Sequence, residues 1–167
     1  MNLQAEILKA DFKDQAVFVA NKVNGDENLF AELMKLFFSK DTRTCQRAAW
    51  VVSHCVEQNP WQVMPYLDKI IKNLYNDVGD TTKRNTVRVM QFVDIPEKLW
   101  AKTLDICFRY LTGNEAVAIK VFAMTVLYNL SLKIPDIAHE LRITIEDQLP
   151  IGSPGFKSRG KKILKKL

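Results

Sequence analysis

Prolines open three segments of this chain at a nearly constant interval: Pro60, Pro96 and Pro135 stand 36 and then 39 residues apart. A glycine follows each in similar phase, at Gly79, Gly113 and Gly152. A fixed period in this range belongs to stacked supersecondary units, each too small to bury its own apolar face, so that a core forms only between neighbours. The repeat constrains the architecture before any single motif is considered. It predicts an all-α chain of helical hairpins.

Helical periodicity fills the intervals between these markers. From Asp41 to Asn59 the apolar residues Cys45, Ala48, Ala49, Val52, Cys55 and Val56 fall on one helical face. Asp41 and Thr42 offer capping oxygens at its start, and Asn59 before Pro60 is pushed out of helical geometry at its end. The spacing predicts further helices over 61–75, 81–93, 99–111, 114–132 and 137–149, with a last one in 154–167. Upstream, a helix is expected around Leu29–Phe37, another around Phe12–Val23 and a short one near Leu3–Lys9. The stretch Ala116–Leu130 is apolar nearly all round, which in a stacked array means neighbours on several sides. The organisation expected is one domain, 1–167, with N-terminal helices in 1–25 and units over 26–59, 60–95, 96–134 and 135–167. A chain of 167 residues, 47% hydrophobic, holds one continuous core of this kind.

At this point the chain resembles the HEAT-repeat proteins, armadillo-like helical solenoids. Their units pair two antiparallel helices, with a proline in the first, an Asp at the turn and an Arg followed by alanines in the second. Asp41, Arg47, Ala48 and Ala49 match the turn and second helix, and Pro65 matches the first-helix proline. In later units a cation persists at Arg84, Lys120 and Arg159 where the alanines do not. The resemblance implies a right-handed superhelix of about four hairpins with N-terminal capping helices. It also implies that the helices beginning near Thr42, Thr81, Asn114 and Gly155 line a concave side.

On the first of these inner helices Arg43, Arg47, Trp50 and His54 recur at i, i+4, i+7 and i+11, away from the apolar face, and form one expected exposed stripe. Arg84 and Arg88 follow in similar phase on the next, and Lys120 on the third. Two readings of these cations stay open. They are a recognition track, or, as commonly holds for the HEAT Arg, structural partners of turn acids and carbonyls.

Charge is sorted unevenly along the chain. The net charge of +5 resides in the last residues, where Lys157, Arg159, Lys161, Lys162, Lys165 and Lys166 are accompanied by no acid. Residues 1–156 carry 18 cations, the 24 less those six, against 19 acids. This basic tail reads either as a docked terminal cap, since Phe156, Ile163, Leu164 and Leu167 share a helical face, or as a mobile basic segment.

Catalytic equipment is not visible. His54 and His139 stand in no spacing with Cys, Asp or Glu that would build a metal site, and there is no Gly-rich phosphate loop or nucleophile elbow. No metal and no cofactor are expected, and the chain is not read as an enzyme. Cys45, Cys55 and Cys107, odd in number and set among apolar residues, suit reduced thiols. Charges within the first fifteen residues fit neither a signal peptide nor a membrane span, so a cytoplasmic location and no membrane partner are expected.

The function expected is binding, with the concave surface of the array as a scaffold for a protein partner. The alternative is a nucleic-acid binder with a basic inner groove. The HEAT-like alkylpurine DNA glycosylases are similar in repeat type and in a Trp on the inner surface, although this chain is shorter than that family.

Overall fold

Asp41 shows how the chain turns sequence into helix. Its backbone N–H donates to Ser39 Oγ at 3.1 Å, which fixes the turn, and its carboxylate accepts the Thr44 N–H at 2.8 Å. One of the amides that a helix start leaves without a partner is thereby satisfied. Asp26 does the same ahead of its own helix, accepting from Asn28 and Leu29, and Ser153 accepts from Phe156 near the C-terminus.

A computed structural model describes residues 1–9 and 13–167. In chain order its α-helices are α1 (Leu3–Leu8), α2 (Lys13–Val23), α3 (Glu27–Phe37), α4 (Thr42–Gln58) and α5 (Leu67–Asn73). They continue with α6 (Asp80–Met90), α7 (Trp100–Thr112), α8 (Val117–Ser131), α9 (Asp136–Gln148) and α10 (Pro154–Leu164). Short 3-10 helices cover Pro60–Tyr66 and Glu97–Leu99, and the described residues contain no strand. The all-α class agrees with the periodicity. Phe12, expected to begin the second helix, lies outside the described residues.

One element departs from expectation. The helix read over 61–75 is a 3-10 stretch followed by the two-turn α5. Pro65 lacks an N–H and its ring crowds the carbonyl four residues back, so an α-helix cannot run through it. A 3-10 geometry carries the chain to Leu67, where α-helix begins.

The chain forms two compact units, Met1–Val93 and Asp94–Leu167. In the first, α4 is central, packed by α1, α2, α3, α6 and the Pro60–Tyr66 helix. Its core includes Leu33, Ala48, Ala49, Val52, Cys55, Val56 and Val63, all fully removed from solvent. In the second, α8 is central, with α7, α9 and α10 against it. Ile119, Ala123, Met124, Val126 and Leu127 bury several sides of that helix, as its all-round apolar character requires.

The C-terminal helix α10 is docked. Phe156 and Ile163 are buried, Arg159 Nη1 bonds Thr125 Oγ1 at 2.5 Å, and the Lys166 ammonium lies 5.5 Å from the Tyr128 ring centre. Gly160 makes this approach possible. A Cβ there would stand 3.0 Å from Ile145 Cγ2 and 3.3 Å from Leu149 Cδ2.

Candidate functional site

Within the N-terminal unit, α4 carries Arg43, Arg47, Trp50 and His54 and packs against α6, which carries Arg84 and Arg88. Arg43, in the first turn of α4, is exposed. One turn on, the half-buried Arg47 places its guanidinium carbon 5.9 Å from the Trp50 ring centre, within cation–π range. Trp50 is half-buried, its imidazole neighbour His54 lies at 6.4 Å between ring centres, and Ser53 Oγ donates to the Trp50 carbonyl at 2.7 Å.

His54 corrects the sequence reading. It was expected on the exposed stripe, yet it is buried, and its Nε2 has no hydrogen-bond partner among the described residues. The cause is packing from more than one side: α1, α2, α3 and α6 all pack on α4, so six consecutive residues, Val51 to Val56, are shut from water. Exposure therefore fades along the stripe from Arg43 to His54. Burial lowers the His54 pKa, the Arg88 guanidinium adds to that, Glu57 opposes it, and Lys13 on α2 pushes it down further.

From α6, Arg88 Nη2 reaches Glu57 Oε2 at 2.8 Å, and the same carboxylate oxygen is 3.9 Å from His54 Nδ1. Sequence reasoning missed Glu57. The signal was present, since Glu57 follows Trp50 by seven residues and His54 by three and so shares their face. Arg84, one turn before Arg88, is exposed. The N-terminal site thus consists of an Arg–Trp contact, an Arg–Glu ion pair beside a buried imidazole, and two exposed arginines.

Lys120 belongs to the other unit and has a different role. Its ammonium donates to Gln148 Oε1 at 3.0 Å, and Gln148 Nε2 donates in turn to the Leu111 carbonyl at 2.9 Å. The cation holds α8 to α9 and the end of α7. Of the tail cations, Arg159 is engaged with Thr125 and Lys157 is half-buried, while Lys161, Lys162, Lys165 and Lys166 are exposed along α10 and its end.

No group of three His, Cys, Asp or Glu gathers as a metal site among the described residues. Nor is any helix among them long and apolar enough to cross a membrane. Cys55 and Cys107 are fully buried free thiols, and burial raises the Cys55 pKa to about 12 and that of Cys107 further still.

The geometry defines a helical-repeat protein with a side-chain cluster on paired helices. The family model of the HEAT repeat domain matches residues 4–167, and the chain belongs to that family. HEAT arrays are helical-repeat scaffolds or binding modules and are generally non-catalytic. Neither comparison with curated proteins nor comparison with solved structures returns a match.

Proposed function

We propose that the chain is a non-catalytic binding module that takes a protein partner on the α4–α6 face of its N-terminal unit. The observation that carries this reading is the composition of that face. Arg47 against Trp50, next to the Arg88–Glu57 pair, joins an aromatic anchor to arginines with an acid among them. Half-buried Trp and Arg are the residue types in which protein interfaces concentrate their binding energy. A phosphate track needs uncompensated cations, and Glu57 removes the charge of Arg88 from such a track. Three free thiols support a reducing compartment such as the cytoplasm.

A second reading rests on Arg43 and Arg84. Both are exposed, and although the Arg43 charge acts on the nearby Asp41 carboxylate, neither arginine is within ion-pair distance of an acid among the described residues, so the face retains two cations for an anionic backbone. The two readings part on salt and on variants. Partner retention by the wild-type protein in affinity capture is expected to persist from low to near-physiological salt and to be lost in Trp50→Ala and in Arg47→Glu. Fluorescence anisotropy with labelled duplex and single-stranded oligonucleotides, read across the same salt range, is expected to show no specific binding. Oligonucleotide binding that falls steeply with salt and disappears in Arg43→Glu/Arg84→Glu would replace the protein-partner reading with the nucleic-acid one.

A further inference from the structure

The N-terminal unit contains a recess that shares no residue with the α4–α6 cluster. It lies between the start of α3 and the 3-10 helix Pro60–Tyr66, encloses about 250 Å³, and is lined by Glu27, Phe30, Trp61, Gln62, Pro65 and Tyr66. Pro65, inside the 3-10 stretch, forms part of its wall. In a helix with three residues per turn, Gln62 and Pro65 fall on one side together.

Four features of the lining point to one chemistry. Phe30 and Tyr66 stand 5.9 Å apart between ring centres, tilted by 58°, and Trp61 keeps 53% of its surface in water beside them. Such a concentration of aromatic surface at a recess suits a cation with an apolar stem. Glu27 is exposed and forms no ion pair among the described residues. It is not needed for capping either, because Asp26 takes the Asn28 and Leu29 amides. Two carboxylates in succession also outweigh the partial positive charge at the start of α3.

The fourth feature is Gln62. Its side chain is 96% buried, and neither its amide nitrogen nor its oxygen has a hydrogen-bond partner among the described residues. A buried amide unpaired at both ends is costly. A ligand that satisfies it brings both a donor and an acceptor. A basic residue within a peptide does so, with N–H groups from its side chain and a carbonyl from its backbone. The neighbouring depression, which shares Tyr66, already seats an ammonium on an aromatic ring: Lys69 Nζ lies 4.2 Å from the Phe38 ring centre.

We propose that this recess receives an arginine or lysine side chain of a partner protein. The stem lies against Trp61 and Pro65, the charged head meets the Glu27 carboxylate and the Gln62 amide oxygen, and the Gln62 amide nitrogen donates to the backbone carbonyl of the incoming residue. Trp61, the exposed member of the lining, swings to admit it. Glu27 disfavours a phosphate-bearing ligand at the same place.

The test uses the full chain, labelled with 15N, and follows the Trp61 indole and Gln62 side-chain amide signals. The probes are N-acetyl-arginine N-methylamide, its neutral counterpart N-acetyl-norleucine N-methylamide, and methylguanidinium, which has the charge without the peptide. The arginine probe is expected to shift both signals saturably and to bind about tenfold more tightly than the norleucine probe. Binding is expected to disappear in Trp61→Ala and to weaken about tenfold in Glu27→Gln. Both substitutions fall on exposed side chains, and an unchanged Tm verifies that each variant folds. Norleucine binding as tight as arginine binding, or arginine binding that survives both substitutions, overturns the proposal. Methylguanidinium binding as tight as that of the arginine probe overturns its peptide part. None of these outcomes touches the α4–α6 reading, which depends on Arg47 and Trp50.

Discussion

His54 is a titratable group placed where its charge is opposed. Desolvation, Arg88 and Lys13 act against the imidazolium, and among the described residues Glu57 favours it. A histidine whose folded pKa lies below its unfolded value binds a proton more readily when unfolded. Its contribution to stability is therefore complete above the unfolded value, near pH 6.5, and is lost as pH falls from there toward the folded value. Urea unfolding across this range should show stability rising with pH, with a slope from this one site of at most about 1.4 kcal/mol per pH unit. Arg88→Ala removes a repelling cation and leaves Glu57 to act on the ring, so the His54 titration followed by NMR should move upward. A downward movement would mean that the Arg88–Glu57 pair does not set the field at His54. The stripe position of His54 was legible in the sequence but its burial was not. Spacing along a helix fixes which residues share a face, and it does not say how many neighbouring helices cover that face.

At the level of the element, local signals were strong wherever one residue fixed the geometry. Asp41, Asp26 and Ser153 cap as their types dictate, and α4 ends before Pro60. Pro65 was legible as a family marker, yet its effect on helix type was not drawn from apolar spacing, which is similar for short 3-10 and α segments. Gly160 reads in sequence as a weak point of a helix, whereas in the fold it is the contact that seats α10. Alanine in its place would gain about 1 kcal/mol of helix propensity. Against that gain, its Cβ meets Ile145, fully buried and branched at Cβ with little freedom to move, and such overpacking costs about 1–3 kcal/mol. Gly160→Ala is thus expected to destabilise the chain by about 1 kcal/mol in chemical denaturation. A stabilised variant would show that α10 can retreat from α9 without loss.

For the whole molecule, the net charge of +5 depends on a helix that is also part of the core. Its basic face and its apolar face can be separated experimentally. Lys161→Glu/Lys162→Glu/Lys165→Glu changes exposed residues and takes the net charge from +5 to −1, since each reversal removes two charges. It is expected to leave stability within about 1.5 kcal/mol of the wild type, about half a kcal/mol for each surface position. Deletion of 157–167 removes the buried Ile163 as well, and should lower Tm far more than the reversals do. Equal stability of the two variants would mean that the tail contributes charge alone. The repeat period, the all-α class and the central position of Ala116–Leu130 could all be read from the sequence, because they follow from where apolar residues recur. The recess at Trp61 and Gln62 could not, since it depends on what the 3-10 stretch and the start of α3 leave unfilled between them.

Each compact unit also carries its own built-in reporter. Cys55 sits on α4 in the first and Cys107 on α7 in the second, both fully buried thiols, while Cys45 is half-buried with its Sγ turned to the Phe37 carbonyl. An alkylating reagent added to the native protein should mark Cys45 first. The later, slower labelling of Cys55 and Cys107, resolved by peptide mass, then clocks how often each half of the chain breathes open, with no engineered probe.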